Sequence, residues 1–142
     1  MKENIEFLNY IYKISKLSLI ELQEIKPSIQ DKEILSIIKK YEEKYFIICT
    51  KATEQLLALK KEPDAISSIS RITTFIDTRI STMNDQSNTN IAKTLITSNN
   101  KTIIELQKHI NKYHGKSTKV LKLSNELLRT INSSLNSLKK YL

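Results

Sequence analysis

Apolar side chains recur along this chain at spacings of three and four, the period that gathers them on one side of an α-helix, and they do so in five blocks. The first, about residues 4 to 26, sets Ile5, Leu8, Ile11, Tyr12, Leu19, Leu22 and Ile25 on one broad face. Pro27 closes it by removing a backbone donor and disfavouring helix at the residue before it. The second, about 31 to 61, opens on Asp31 as N-cap and repeats Ile34, Ile38, Tyr41, Tyr45, Ile48, Ala52 and Leu59; Leu35, Phe46, Cys49 and Leu57 form a second stripe that widens its apolar face. It runs about 45 Å at 1.5 Å per residue, the length of a bundle helix, and Pro63 ends it.

The third block, about 64 to 83, places Ile66, Ile69, Ile72, Ile76, Ile80 and Met83 at helical spacing, although residues 72 to 82 are dense in β-branched side chains and carry strand propensity. A lone strand would lack a partner, so helix is expected. The turn at 84 to 88 offers Asp85 or Ser87 as cap for the fourth block, about 88 to 113, with core positions Ile91, Leu95, Thr102, Leu106, Ile110 and Tyr113 and Gly115 as its C-terminal stop. Ser117 caps the fifth, about 117 to 141, which lines up Val120, Leu123, Leu127, Leu128, Ile131, Leu135, Leu138 and Leu142. Two long hairpins, first with second and fourth with fifth, make an antiparallel four-helix bundle. The third block, about 30 Å if helical, would carry the chain back along it, the crossover of ferritin-like folds. The expected fold is therefore all-α, five helices in total, in a single domain spanning residues 1–142.

Composition agrees. One glycine and two prolines are too few to punctuate a sheet-rich fold, and 39% hydrophobic residues in 142 suffice for one core. The longest apolar run, Tyr45 to Cys49, is far short of a membrane span of about 20 residues. The mixed-charge start and single cysteine predict a cytoplasmic protein, in which Asn100-Lys-Thr and Asn132-Ser-Ser are chance glycosylation matches.

The segments NIEFLNYIYK, KYEEKYFIICTKATEQLLALKKEP and NDQSNTNIAKTLITSNNKTIIELQK resemble a group of uncharacterised, ferritin-like helical proteins of low-GC Gram-positive bacteria, over nearly the whole chain. The resemblance implies the bundle fold and no particular activity. It also implies glycines in the middle of the fourth helix, where this chain has Ser98 and Thr102, both small enough for close helix packing.

A ferritin-like bundle raises the di-iron question. Such sites need a glutamate from two helices and Glu-x-x-His from the other two, and this chain has no Glu-x-x-His. The stretch ELQKHINKYHG, 105 to 115, holds both histidines. Glu105 and His109 are the weak metal candidates. With Leu106 at zero on a helical wheel, His109 falls at about −60° and Glu105 at about −100°, a flank rather than a core position, while His114 points some 140° away from His109. Glu105 and His109, four apart, are expected to pair on the helix surface. Cys49, in an apolar run, is expected to be an inert core thiol, and one glycine excludes phosphate loops of the glycine-rich kind. No catalytic residue and no cofactor are expected.

The net charge of +8 is uneven: residues 1–86 hold thirteen basic side chains against thirteen acidic, and residues 87–142 hold ten against two. Lys116, Lys119, Lys122, Arg129, Lys139 and Lys140 would give the last helix a basic side, joined by Lys93, Lys101, Lys108 and Lys112 on its neighbour, and an anionic partner such as nucleic acid or anionic lipid is one reading. Lysine makes up 20 of the 23 cations in an Ile/Asn-rich, Ala-poor chain, a bias that codon composition explains without binding. The leading expectation is a non-catalytic interaction protein, with a homodimer through surplus apolar surface; an atypical metal-binding bundle is the remaining alternative.

Overall fold

The computed structural model describes residues 1–65 and 85–142. They form four α-helices, α1 (Lys2–Ile25), α2 (Lys32–Ala58), α3 (Asn88–Lys112) and α4 (Thr118–Leu138), with 3₁₀ turns at Lys26–Ser28 and Lys139–Tyr141. No strand occurs among the described residues. The third predicted block, and with it the count of five helices, lies outside them except for Asp64 and Ala65. Those two are not helical: the Asp64 N–H donates to Asn9 Oδ1 at 3.0 Å and its carboxylate meets Lys13 Nζ at 2.7 Å.

The helix starts follow local chemistry. Asp31, Ser87 and Ser117 each hold extended backbone, and their side chains accept from Ile34, Asn90 and Val120 N–H, satisfying one of the donors a helix start leaves open. Pro27 converts the end of α1 into a 3₁₀ turn, after which Ile29 goes extended and turns into the core. The end of α2 departs from expectation. It stops at Ala58, before Pro63 acts, because Lys60 adopts φ 60 and the N–H groups of Lys60 and Lys61 return to Leu57 O and Leu56 O at 2.9 and 3.0 Å. This is a Schellman closure with lysine in the left-handed position that glycine usually takes.

Contacts along the helices fix their directions. Ser15 meets Cys49 and Lys26 meets Glu42, so α1 and α2 are antiparallel. Tyr41 meets Ser133 and Lys51 meets Glu126, which makes α2 and α4 antiparallel. Asn4 meets Tyr113 and Glu21 meets Ser98, so α3 runs against α1. Tyr113 bonds Ser117 at one end of the α3–α4 hairpin and Thr89 bonds the Tyr141 carbonyl at the other. The four helices follow one another around the core in the order α1, α2, α4, α3, pointing up, down, up and down, with α1 and α4 also in contact across it. Along the chain they run up, down, down, up: α2 finishes near the start of α1, and α3 begins at the other end, where Asn88 reaches Asp31 at 3.4 Å.

One apolar cluster joins all four helices, from Leu8, Ile11 and Ile14 through Ile34, Tyr45 and Leu56 to Leu95, Leu106, Leu127 and Ile131. At roughly 1.5–3 kcal/mol per fully buried large side chain, this cluster supplies the main stabilisation. The α1 face is wider than its predicted stripe, since Phe7, Tyr10, Ile14 and Leu17 are buried too. The predicted second stripe of α2 is corrected. Cys49 is buried and Leu35 partly so, but Phe46 and Leu57 are 61% and 53% exposed. They lie more than about 100° around the helix from the middle of its buried face, where the neighbouring helices leave most of their surface uncovered. Ser98 and Thr102 are buried, as close packing between helices requires. Among the described residues no helix is long and apolar enough to cross a membrane.

Candidate functional site

The two histidines stand at the lower end of α3. His109 stacks face to face on Tyr10 of α1, ring centroids 3.6 Å apart and planes 9° from parallel, and its Nδ1 lies 2.9 Å from the carbonyl oxygen of Glu105, to which it donates. The Glu105 carboxylate turns the other way and accepts from Lys108 at 3.2 Å. The expected Glu105–His109 side-chain pairing is thus replaced. The imidazole gains more by covering an aromatic face and capping a carbonyl of its own helix than by an exposed ion pair, which is worth a few tenths of a kcal/mol. His114 lies beyond the helix end and is exposed. Among the described residues no three His, Cys, Asp or Glu side chains converge on a common point.

Gly115 is not the helix stop. The helix ends because Tyr113 turns extended, with φ −73 and ψ 118. The glycine, whose own φ is not positive, is needed for space: a Cβ there would lie 2.5 Å from Cε1, Cζ and the hydroxyl of Tyr113. That ring cannot yield, because its hydroxyl donates to Asn4 Oδ1 at 2.5 Å and accepts from the Ser117 N–H at 3.1 Å, and its face packs against Phe7 at 5.1 Å. Tyr113 ties the start of α1, the end of α3 and the start of α4 together, and only a residue without a side chain fits beside it.

Between α1 and α3 at this end lies an open cleft of about 540 Å³, lined by Glu3, Glu6, Tyr10, Lys13, Asp64, His109 and Lys112 among others. The Tyr10 hydroxyl is buried against it without a hydrogen-bond partner, and burial first, then the nearby Glu105 charge, pushes this phenol far above its ordinary range. Both charge signs line the cleft, and Lys13 is already paired with Asp64. Among the described residues that line it, carboxylates and cations stand side by side rather than as a group of one sign.

Pattern reading missed Glu21. It is 4% exposed, and its Oε2 accepts from Ser98 Oγ of α3 at 3.0 Å, so Ser98 is a hydrogen-bond donor to a buried carboxylate as well as a small residue for packing. The signal was present. Tyr10, Ile14, Leu17, Glu21 and Ile25 share one stripe at spacings of four, three, four and four, and the acid sits inside it. Its charge also raises the phenol of Tyr45, after the larger effect of burial. Cys49 is buried, 3.1 Å from Ser15 Oγ, and burial pushes its thiol up against the opposing Ser15 hydrogen bond and Lys16, which leaves it un-ionised.

Lys116, Lys119, Lys122, Arg129, Lys139 and Lys140 are all exposed. The expected union with the cations of the neighbouring helix does not extend to Lys119, Lys122 and Arg129 on one side or to Lys101, Lys108 and Lys112 on the other. Lys119, Lys122 and Arg129 lie on the side of α4 that turns to α2, since Glu126 and Ser133 of that side meet Lys51 and Tyr41. Lys101, Lys108 and Lys112 lie on the side of α3 that turns to α1, the side of Ser98 and His109. The two sets occupy opposite faces of the bundle. Acids interrupt both: Lys140 is bonded to Glu33, Lys108 to Glu105, and Glu126 stands beside Arg129 in the α2–α4 groove.

Compared with known proteins, the chain matches no protein-family model, no curated protein and no solved structure.

The remaining feature is the outer surface of α2. Six large apolar side chains among the described residues are exposed: Met1 and Leu142 at the termini, Ile104 alone on α3, and Phe46, Ile47 and Leu57 together on α2. Beside Phe46, a groove of about 250 Å³ between α1 and α2 is lined by Tyr12, Leu19 and Thr53.

Proposed function

We propose that this chain is a non-catalytic helical-bundle interaction protein of ferritin-like connection, and that its docking surface is the outer face of α2. The concentration of exposed apolar side chains on that helix carries the reading. Phe46 at 61% and Leu57 at 53% exposure lie on one line of α2, about 16 Å apart, and an apolar line rimmed by lysine and glutamate is the usual form of a helix-in-groove or helix-to-helix contact. The up, down, down, up order supports the ferritin-like reading, because it requires one long connection between two hairpins.

Two variants test the docking surface. Phe46→Glu with Leu57→Glu should leave helical circular dichroism and thermal midpoint unchanged, since neither side chain belongs to the core, while abolishing the set of proteins that the wild-type chain captures from its native cell. Capture of the same set by the double variant would sink the proposal.

A further inference from the structure

Six residues on the outside of α2 and just past its end, Glu43, Phe46, Thr50, Thr53, Leu57 and Lys60, follow one another at spacings of three, four, three, four and three. That series reads the same from either end. In an antiparallel pair of identical helices related by a two-fold axis between Thr50 and Thr53, Phe46 of one copy meets Leu57 of the other, Thr50 meets Thr53, and Glu43 meets Lys60, each contact occurring twice. In a parallel pair every residue would meet itself, setting Glu43 on Glu43 and Lys60 on Lys60.

Two further observations fit a buried seam. Thr50 and Thr53 donate their hydroxyls to the carbonyls of Phe46 and Cys49 in their own helix, at 3.0 and 2.9 Å, so covering them leaves no hydroxyl unsatisfied. Glu43 and Lys60 are both exposed, and neither has an ion-pair partner among the described residues, whereas Glu42 beside them is engaged by Lys26. Among the described residues, the opposite charges at the two ends of the seam are therefore open to a second chain.

From this symmetry and charge complementarity we infer that the occupant of the α2 face is a second copy of this chain, held antiparallel through Phe46–Leu57 and Thr50–Thr53 contacts and closed at each end by Glu43–Lys60. The inference rests on the docking reading above and names its partner. A seam of about 21 Å of helix, from Glu43 to Leu57, is at the small end of stable interfaces, so the dimer is a weak one with a micromolar or higher dissociation constant.

Sedimentation equilibrium from about 1 to 500 μM, a range chosen to bracket such an affinity, provides the test. The wild-type chain should pass from monomer to dimer, and Phe46→Glu with Leu57→Glu should stay monomeric. Glu43→Lys alone should weaken association about tenfold or more because the like-charge contact occurs twice, and Glu43→Lys with Lys60→Glu should return it to within about threefold of wild type. Circular dichroism of each variant checks that the fold is kept. A monomer throughout, a dimer indifferent to Phe46→Glu with Leu57→Glu, or failure of the charge exchange to restore binding would each overturn the inference. A monomeric wild type whose captured partners still depend on Phe46 and Leu57 would overturn self-association alone, leaving the docking surface standing.

Discussion

Gly115 and Lys60 show how a single residue's role depends on what surrounds its backbone. At Gly115 the requirement is space beside a pinned ring. Gly115→Ala should cost about 1–3 kcal/mol, the usual range for overpacking, read as a lower urea midpoint at unchanged slope. A change within about 0.3 kcal/mol would show that Tyr113 can move aside after all. At Lys60 the requirement is a left-handed backbone, φ 60, which strains a side-chain-bearing residue by about 1–2 kcal/mol. Lys60→Gly should therefore stabilise the chain by about 0.5–1 kcal/mol after the entropy cost of glycine, measured by chemical unfolding at high dilution. The two positions oppose each other instructively: glycine sits where φ is not positive, and lysine where it is.

Helix starts were readable as elements because capping is a local matter of three or four residues. Asp31 accepts the Ile34 N–H at 2.9 Å, as the sequence indicated. Asp31→Ala should cost about 1 kcal/mol, and Asp31→Asn, which keeps an accepting oxygen, much less; equal losses in the two variants would contradict a capping role. Burial on each element was less readable. Phe46 and Leu57 continue an apolar stripe of α2 in the sequence, yet a helix in a bundle of four is covered by its neighbours over only part of its circumference, so a face wider than that arc leaves its edge exposed. Glu21 is the reverse case, a charged residue on a buried stripe, held there by Ser98 from another helix.

The arrangement of the whole molecule governs its titration and its field. Tyr45 is fully buried, and Tyr10 nearly so; burial leads in raising both phenols above the ordinary value of about 10, with Glu21 and Glu105 adding to it. A phenol whose folded-state pKa is raised leaves its contribution intact below pH 10 and withdraws it as pH rises above that value. Alkaline unfolding should therefore begin beyond about pH 10, and Tyr45→Phe should move its midpoint upward in a circular dichroism titration. Loss of helix below pH 9 would contradict this. Lys119, Lys122 and Arg129 lie on one face and Lys101, Lys108 and Lys112 on the opposite one. Any association with duplex DNA should show a slope of log K against log salt near −3, the value for about three phosphates, rather than the −9 that ten cations on one face would give.

The sequence by itself determined the four described helices, their N-terminal caps and most of their inward faces, because periodicity and capping depend on residues within one or two turns of each other. It also showed that Glu105 and His109 sit on the flank of α3. Tertiary structure alone decided what those residues touch: the stacking of His109 on Tyr10, the ring that forbids a side chain at Gly115, the burial of Glu21, and the division of lysines onto two faces. These depend on which helices are neighbours and in what rotation, and that is settled by packing between residues 75 to 109 positions apart. The apolar line on α2 belongs to both: its spacing is in the sequence, and its exposure is the consequence of where α1 and α4 pack.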